Sequence, residues 1–366
     1  MANIMLILIS IGFVSGCLLF RKPLLPKGHL SEVGNQNQKV SVIIPARNEE
    51  MNLPYLLESL QRQTLLPYEV IVVNDHSVDR TKEIAEKFST KVIDITSIPS
   101  GWLGKTWAVW NGYLKSSGDI LVFLDSDVRL EEDGLERLIL ALEQKGGAIS
   151  VVPFHRTEKF YEKFAMLPNH LALFTFSSPF ENHNPEKGLY GSCIAVTRKD
   201  YEKIGGHKRI RAEITDDLKL GTAFKQAGVP VTNFLGKGAI SFRMYPNGIK
   251  SSLEGFAKSA ALSMGSISKK TIFFIACWVI GLMLSELAIL FLFSKSYFPL
   301  VIGYFLYVLQ ILYINKYSGN FGLIHSVFHS LSFGFFIVMM LYSTYQTSFR
   351  KAVVWKGRTI EVGRRD

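Results

Sequence analysis

Asp125 and Asp127 are the residues of this sequence whose type and spacing most directly suggest chemistry. They follow the apolar run Ile120-Leu121-Val122-Phe123-Leu124, which predicts a buried strand ending at the pair. Two carboxylates one residue apart at a strand end can present oxygen ligands to a hard divalent cation such as Mg²⁺ or Mn²⁺. A solvated pair in an acidic turn has the same spacing, so the assignment depends on the elements that position these residues.

Strand and helix patterns alternate on the N-terminal side of this pair. We predict strands over 40–45, 69–75, 91–95 and 120–124, and helices over 52–63, 79–88 and 106–116. Several of the strands are almost wholly apolar, which is typical of a mostly parallel sheet covered on both faces. The predicted fold class is therefore α/β, and ligands of such sheets bind beyond the C-terminal ends of the strands.

Polar segments follow three of these strands. They are Pro45-Ala46-Arg47-Asn48-Glu49, Asn74-Asp75-His76-Ser77 and Asp125-Ser126-Asp127. We expect all three at one edge of the sheet, the last of them leading into a long helix. The simpler interpretation of each is a turn or a helix cap, since Asp75 and Ser77 are suitable N-cap residues for a helix beginning near Asp79.

The same residues carry a family resemblance. The ordered segments Val40 to Glu49, Val70 to Thr81 and Phe123 to Asp127 resemble the family 2 glycosyltransferases, which have the glycosyltransferase-A fold. The resemblance covers about residues 40–250. It implies that Glu49 and Asp75, with Pro45 and Ala46 as a wall, hold the nucleoside of a nucleotide sugar. It also implies that Asp125 and Asp127 hold a divalent cation, Mn²⁺ or Mg²⁺, on the diphosphate.

Two further segments match motifs of that family. Lys105, in Pro99-Ser100-Gly101-Trp102-Leu103-Gly104-Lys105, looks like the lysine placed beside the nucleotide, although a solvated lysine at a helix start is the alternative. Trp102 is either an acceptor contact or a loop anchor. Gly205-Gly206-His207 and the following Asp216-Asp217 resemble the segment that carries the general base. The resemblance makes Asp217 the base with Asp216 beside it, and His207 a candidate acceptor contact.

The Asp216-Asp217 pair also suits the first turn of a helix, where carboxylates are favoured by the helix dipole. Farther on, processive polysaccharide synthases carry a Gln-x-x-Arg-Trp motif, and this sequence has Arg243-Met244-Tyr245-Pro246 in that region. Processive synthesis is therefore disfavoured, and Arg243 is expected to meet the diphosphate.

Hydrophobic segments predict a membrane protein. Ile4 to Phe20 is almost entirely apolar, and 272–293, 297–314 and 321–342 each approach the roughly 20 residues that cross a bilayer core. We predict a membrane anchor over 1–22, a glycosyltransferase domain over 23–260, membrane segments over 261–345 and a basic tail over 346–366. The cations after the first segment hold the domain on the cytoplasmic side of the cell membrane.

The number of crossings is unresolved by the sequence. A cytoplasmic domain and a cytoplasmic tail require an even number of crossings between them, yet three segments are present. The most polar is 321–342, which contains His325 and His329, and it either re-enters the membrane, lies at its surface, or turns its polar residues toward a neighbouring helix.

Charge and cysteine content narrow the possibilities further. The formal net charge of +10 comes from clusters beside hydrophobic segments, which anionic lipid explains, so we expect no nucleic-acid partner. The three cysteines include Cys17 and Cys277 within hydrophobic segments, and they indicate neither a disulfide framework nor a zinc site.

In the C-terminal part, the segments Ser241 to Tyr245, Glu254 to Phe256 and Val354 to Arg358, with the hydrophobic segments between them, resemble the branch of the family that includes bacterial carotenoid glycosyltransferases. The resemblance implies inverting transfer of one sugar, with UDP-glucose as the leading donor, to a membrane lipid acceptor, foremost a carotenoid carboxylate such as 4,4'-diaponeurosporenoate. The aromatic-rich stretch 160–180 is a candidate acceptor entrance, with core packing as the alternative. A glycerolipid, sphingolipid-like or polyprenyl-phosphate acceptor remains open, as do a nucleotidyltransferase and an inactive membrane scaffold.

Overall fold

The computed structural model describes residues 2–30, 38–88, 90–260, 266–287, 298–350, 352–355 and 358–361. The chain divides into two units, and each is built from separate stretches of sequence. We call residues 23–154 and 185–244 the sheet unit. Residues 1–22, 155–184 and 245–366 are the helical unit. The stretch 155–184 thus groups with the apolar helices, whereas the domain predicted from the sequence is continuous over 23–260.

The strands and helices predicted between residues 40 and 124 are all present, with ends displaced by at most two residues. The strands of the described residues are β1 (Val40–Ala46), β2 (Glu69–Asn74), β3 (Lys91–Asp94), β4 (Ile120–Leu124), β5 (Val128–Leu130), β6 (Ala148–Val152), β7 (Phe154–His155), β8 (Cys193–Thr197), β9 (Val231–Leu235), β10 (Ile240–Phe242), β11 (Ala352–Trp355) and β12 (Arg358–Glu361).

The helices comprise fourteen α-helical segments in the described part of the chain, with 3₁₀ turns at Phe160–Ala165 and Pro179–Glu181 and a π-helical turn at Tyr345–Arg350. They are α1 (Ala2–Leu19), α2 (Leu53–Gln61), α3 (Thr81–Lys87), α4 (Gly104–Leu114), α5 (Gly134–Lys145), α6 (Met166–Ser177), α7 (Arg198–Lys203), α8 (Gly206–Arg209), α9 (Asp216–Gln226), α10 (Ile249–Ala260), α11 (Lys269–Leu287), α12 (Phe298–Ser318), α13 (Gly322–Val327) and α14 (Ser330–Thr344).

The sheet unit is built on a seven-stranded sheet with the order β3-β2-β1-β4-β8-β6-β9. β1 runs parallel to both β2 and β4, with Ala46 opposite Asn74 and Ile43 opposite Phe123. The C-terminal ends of these three strands therefore meet at one edge, as predicted. β8 is antiparallel to β4 and to β6, so its N-terminal end reaches the same edge. The sheet is mostly parallel, which confirms the expected class.

Alternate residues of the central strands face the two sides of this sheet. Val42, Ile44 and Val122 pack with the leucines of α2 and α5, whereas Ile43 and Leu121 pack with α4, α7 and α9. All of these strand side chains are fully buried. This double cover explains the almost continuous apolar runs of β1 and β4, because both faces of each strand must be buried.

The segment after Asp127 differs from the prediction. The chain does not pass directly into a long helix; it first forms β5, which pairs antiparallel with β10 so that Val128 lies opposite Phe242. α5 begins only at Gly134. Because Arg243 follows β10 directly, this pairing brings its backbone N–H to 3.1 Å from the carbonyl oxygen of Asp127.

The helical unit contains two described helices that are long and apolar enough to cross a membrane, α11 and α12, and the shorter apolar helix α1. Part of the predicted segment 272–293 lies outside the described residues. The segment 321–342 is not one helix, because α13 ends at Val327 and α14 begins at Ser330. Within the predicted tail, β11 and β12 pair antiparallel.

Most aromatic rings of the 160–180 stretch pack inside the helical unit. Phe174 lies edge-on to Trp278 at 5.0 Å between ring centroids, and Phe180 stacks on Phe274 at 5.0 Å. Phe160 differs, since 56% of it is exposed. Core packing therefore accounts for the first two rings, and the entrance hypothesis rests on the exposed end of the stretch.

Candidate active site

The loops after β1 and β2 are joined into one wall at the ligand edge. Asn48 and His76, one in each loop, adopt positive φ angles of 52° and 53°, which non-glycine residues rarely do. The hydrogen bonds that connect the loops include Asn48 N–H to Ser77 Oγ at 3.0 Å, Val78 N–H to Asn48 Oδ1 at 2.9 Å, Glu49 N–H to Thr81 Oγ1 at 2.8 Å, and Glu50 N–H to Asp79 Oδ2 at 3.1 Å.

These bonds exclude the simpler interpretation of Asp75 and Ser77 as helix caps. The N–H of Thr81 at the start of α3 is accepted by Asp79 Oδ1 at 3.0 Å, and Ser77 instead accepts from Asn48. Asp75 is buried, and its Oδ1 lies 3.1 Å from His76 Nδ1. Its backbone N–H donates to the Ala46 carbonyl oxygen at 2.8 Å. The N-cap position of α3 is Arg80, so neither Asp75 nor Ser77 caps this helix.

Glu49 lies on the same wall. Its Oε2 accepts a hydrogen bond from Asn52 Nδ2 at 2.9 Å, immediately before α2 begins. The wall continues through Pro45, whose carbonyl oxygen accepts from Ser126 Oγ at 3.1 Å. This contact fixes the turn after β4 against the end of β1.

Asp125 leaves β4 with its backbone held on both sides. Its N–H donates to the Ser192 carbonyl oxygen at 2.9 Å, and its own carbonyl accepts from Val128 N–H at 3.2 Å. The turn that contains both acidic residues is thus anchored to the residues before β8 as well as to β1. Such anchoring limits the reorganisation that ligand binding would require.

A small pocket brings together six of the twelve predicted site residues. Among the predicted residues it is lined by Pro45, Lys105, Asp125, His207, Asp216 and Asp217, and its other lining residues are Val109, Phe123, Leu124, Gly191 and Ile194. The strands and helices that supply them are distant in sequence. Glu49, Asp75, Asp127, Arg243, Ala46 and Trp102 do not line this pocket.

Lys105 stands among the acidic groups of the pocket. Its Nζ is 2.8 Å from Asp125 Oδ1. Burial would lower the pKa of the Lys105 ammonium, but attraction by Asp125, Asp216 and Asp217 outweighs this and raises it. Lys105 is therefore a partly desolvated cation rather than a solvated lysine at the start of α4.

Asp217 is held at the first turn of α9 by backbone donors. Its Oδ2 accepts from Gly191 N–H at 3.0 Å, and its Oδ1 accepts from Leu218 N–H at 3.0 Å. Burial and the charge of Asp216 raise the pKa of the Asp217 carboxyl, although Lys105 opposes this shift. A carboxylate with a raised pKa is a better proton acceptor than an ordinary one.

His207 lines the pocket but has a partner of its own. Its Nδ1 is 2.8 Å from the Tyr201 hydroxyl, and burial lowers its pKa to about 4. It is therefore neutral at pH 7. Trp102 packs on Trp107 and Trp110, with ring centroids 4.9 and 6.1 Å apart, which is the contact pattern of a loop anchor. An acceptor contact for either residue stays a prediction.

The family model that matches this chain and its curated relatives all describe glycosyltransferases. The model of the glycosyl transferase family 2 matches residues 41–205. A 4,4'-diaponeurosporenoate glycosyltransferase of Staphylococcus haemolyticus (strain JCSC1435) is 34% identical over 364 residues, covering 96% of this chain and 96% of that protein. This chain belongs to glycosyl transferase family 2. A protein of the same name from Staphylococcus aureus (strain MRSA252) is 30% identical over 376 aligned residues, covering 100% of this chain and 99% of its own.

Membership of glycosyl transferase family 2 makes this chain a glycosyltransferase, as predicted. Among solved structures, a mannosyltransferase from Pyrobaculum calidifontis in complex with GDP-Man and Mn²⁺ is similar with a TM-score of 0.50. The alignment covers 86% of this chain and 99% of that one at 16% sequence identity, so the likeness concerns the fold alone. The glycosyltransferase-A fold is confirmed.

Asp125 and Asp127 are the predicted metal ligands of the site. Within the described residues no three His, Cys, Asp or Glu side chains cluster as a metal site. Asp125 and Asp127 nevertheless provide two hard oxygen donors beside the pocket. Mg²⁺ commonly binds one or two carboxylates and takes its remaining ligands from substrate phosphates and water. The residues therefore fit a cation that arrives with a diphosphate, and do not form a complete protein cage.

Tyr190 and Gly191 are site residues that the sequence analysis missed. Burial, followed by the charges of Asp127, Asp217 and Asp125, raises the pKa of the Tyr190 phenol, so this ring lies close to the acidic groups of the family 2 site. Gly191 has no side chain because an added Cβ would lie 2.8 Å from Asp217 Oδ2. A signal was present, since the apolar run 193–197 predicts a strand directly after them.

Proposed function

We propose that this glycosyltransferase transfers a single sugar from a nucleotide sugar, with UDP-glucose as the leading donor, to an acceptor dissolved in the cell membrane. The leading acceptor is a carotenoid carboxylate such as 4,4'-diaponeurosporenoate. The names of the relatives and their full-length similarity support this acceptor. We further propose that transfer inverts the anomeric centre and takes place on the cytoplasmic face.

The Lys105 ion pair is the observation that carries the proposal. A lysine 2.8 Å from Asp125, and close enough to Asp216 and Asp217 to be affected by their charges, is a cation positioned before any substrate arrives. Breaking a sugar to diphosphate bond builds negative charge on the leaving group. Preorganised positive charge stabilises this transition state more than water can, because it need not reorient.

Donor binding is assigned to the wall around the pocket. Glu49 and Asp75 meet the nucleoside, Pro45 and Ala46 shape its wall, and Arg243 meets the diphosphate. Four carboxylates, those of Asp125, Asp127, Asp216 and Asp217, would repel a diphosphate, so its entry requires positive charge. A divalent cation held by Asp125 and Asp127 would neutralise that charge when bound.

Asp217 is proposed as the general base, with Asp216 raising its basicity. A hydroxyl acceptor must lose a proton as it attacks, and a carboxylate opposite the leaving group can accept it. Attack from that side inverts the anomeric centre. A carotenoid carboxylate is already ionised at neutral pH, so it makes less demand on Asp217.

The test is a transfer assay on the full-length protein purified in detergent. The protein is incubated with a panel of radiolabelled nucleotide sugars and total membrane lipid, and the labelled product is identified by mass spectrometry. We expect one nucleotide sugar to label a carotenoid or other lipid, and Asp125→Asn to abolish the labelling. If no nucleotide sugar in the panel is consumed, the proposed function is wrong.

A further inference from the structure

Three helices of the helical unit pack with a definite direction. Gly12 of α1 lies against Gly281 of α11, and Gly16 lies against Trp278, so residue numbers rise along α1 as they fall along α11. Gln310 Nε2 of α12 donates to the Phe13 carbonyl oxygen at 2.8 Å, and the Phe20 ring lies 5.8 Å from that of Tyr313. α1 and α12 are therefore parallel, and α11 is antiparallel to both.

This arrangement collects basic residues at one end of the three-helix bundle. We call this end the basic face; it carries the residues that follow α1, begin α11 and end α12, namely Arg21, Lys22, Lys269, Lys270 and Lys316. Lys22 Nζ donates to the Tyr313 hydroxyl at 2.7 Å and lies 5.6 Å from the Tyr317 ring centroid. Lysine and tyrosine together are typical of a membrane interface, and the excess of cations marks the cytoplasmic side.

After α12 the chain turns back along the same helix. Asn320 Nδ2 donates to the Thr157 carbonyl oxygen at 3.0 Å, beyond the end of α12. Ser326 Oγ is bonded to Asn315 Nδ2 at 2.9 Å, and the Val327 carbonyl oxygen accepts from the Tyr304 hydroxyl at 2.6 Å. α13 thus runs antiparallel to α12, away from the basic face.

α14 then runs in the opposite direction to α13. The ring of Phe164 lies 5.5 Å from His325 of α13 and 6.2 Å from Phe335 of α14, so the two helices pass the same level. The end of α14 is fixed by Ser343 Oγ, which donates to the Ala257 carbonyl oxygen of α10 at 2.6 Å. α10 comes before α11 in the sequence, and α11 begins on the basic face at Lys269. The end of α14 is therefore assigned to the side of the basic face.

Side chains of neighbouring helices bond to the backbone at the break between α13 and α14. Glu286 Oε1 accepts the N–H of Ser330 and lies 3.3 Å from His329 Nε2, while Tyr304 satisfies the Val327 carbonyl. His329 is buried. Non-helical backbone at membrane depth is tolerated only where protein groups satisfy it. The contacts supplied by α11 and α12 meet this requirement.

We infer that residues 319–344 form a re-entrant hairpin that enters and leaves the bilayer on its cytoplasmic side. The inference rests on the proposed membrane location. α13 has six residues, about 9 Å of helix, too short to cross a core of about 30 Å. The chain then crosses three times, through α1, α11 and α12. Two crossings separate the sheet unit from the tail, which meets the even number that the sequence required.

Cysteine accessibility in intact cells tests the hairpin. The background carries Cys17→Ser and Cys277→Ser, and Cys193 is retained because it is buried. Single cysteines are introduced as Phe349→Cys, after α14 and 78% exposed; Lys295→Cys, between α11 and α12 in the sequence; and Lys145→Cys, an exposed control in the sheet unit. A membrane-impermeant maleimide is added before or after permeabilisation, and lipid glycosylation is assayed on the same variants.

We expect labelling of intact cells only at position 295, with positions 145 and 349 labelled after permeabilisation. Labelling of intact cells at both 295 and 349 would mean that 319–344 spans the membrane, and would overturn the hairpin. Absence of labelling at 295 in intact cells would mean that α11 and α12 do not cross, which overturns the hairpin and the membrane location while leaving the transfer activity to its own assay. The expected labelling without any glycosylated lipid would support the hairpin and reject the proposed reaction.

Discussion

The acidic groups of the pocket depend on one another through Lys105. Its ammonium neutralises part of the charge of Asp125, Asp216 and Asp217, and in return those carboxylates keep it protonated. The roles assigned to these residues can be separated by experiments in which one charge is removed at a time.

Asp217→Asn is expected to reduce transfer to a hydroxyl acceptor far more than transfer to a carboxylate acceptor. General bases contribute roughly 10²- to 10⁴-fold, and only the hydroxyl acceptor has a proton to lose. The measurement is kcat/KM of parent and variant with one acceptor of each kind. An equal loss on both acceptors would reject Asp217 as the base.

The rate with a hydroxyl acceptor should rise with pH through about 6, the raised pKa of Asp217. Below that pH the carboxyl is protonated and cannot accept a proton, so kcat/KM falls about tenfold for each pH unit. Above it the carboxylate predominates and the rate levels off. The pH profile of Asp217→Asn is the control, and persistence of the same rise in this variant would assign it to another group.

Lys105→Met should weaken binding of the nucleoside diphosphate and strengthen binding of Mn²⁺ alone. A hydrogen bond to a charged group contributes about 1.5–3 kcal/mol, so the nucleotide Kd is expected to rise by about tenfold or more. Removing the ammonium frees Asp125 Oδ1, which Lys105 contacts at 2.8 Å. Calorimetry on Lys105→Met and on the exposed control Lys145→Met measures both effects. Unchanged Mn²⁺ affinity would show that the ion pair does not compete with the metal.

Individual elements show what could be predicted from the sequence and what could not. β1, β2 and β4 were predictable because buried parallel strands have continuous apolar runs, and their polar C-terminal residues identified Asp75 and Asp125. Tyr190 and Gly191 precede their strand instead. They reach the site because β8 is antiparallel to β4, and no local pattern records which neighbour a strand will pair with. The break in the helix before α14 could not be predicted either. The side chains that bond to its backbone, Glu286 and Tyr304, lie on other helices.

Gly12→Leu is expected to disrupt the packing of α1 in the helical unit. A Cβ at this position would meet the Tyr307 hydroxyl, and would lie 2.6 Å from the Cys277 carbonyl oxygen and 2.9 Å from Gly281 Cα. Two of these are backbone atoms that cannot rotate away, so overpacking should cost about 1–3 kcal/mol or more.

Thermal unfolding in detergent measures this loss as a lower Tm. Gly334→Leu is the matched control, because an added Cβ there has no described atom within 4 Å. Equal stability of the two variants would show that α1 does not depend on this close contact.

The whole molecule interleaves its two units along the chain, so that each is interrupted by the other. Residues 155–184 belong to the helical unit, and the chain returns to the sheet unit at Pro185, shortly before Tyr190, Gly191 and β8. The sheet unit therefore cannot be excised as one continuous piece of sequence. A truncation at residue 260 would keep 155–184 but remove α11 and α12. Phe174 of the retained stretch would then lose its contact with Trp278 of α11.

Membrane orientation should decide which vesicles are active. Nucleotide sugars do not cross bilayers, and we propose that transfer takes place on the cytoplasmic face. We expect inverted vesicles to form the glycosylated lipid from added donor, whereas right-side-out vesicles do so only after permeabilisation. Thin-layer separation of the labelled lipid measures this difference. Full activity of sealed right-side-out vesicles would place the donor site on the outer face.

Gly191 has a consequence for changing the acceptor preference of this enzyme. Its N–H holds Asp217 Oδ2 at 3.0 Å, and a methyl group in place of its hydrogen would press on that same oxygen. The basicity and orientation of Asp217, the proposed base, thus depend on the backbone of a residue that lies before β8. If Asp217 is the base, as proposed, a substitution at residue 191 would change transfer to alcohol acceptors more than transfer to acid acceptors while every charged group of the pocket stays in place.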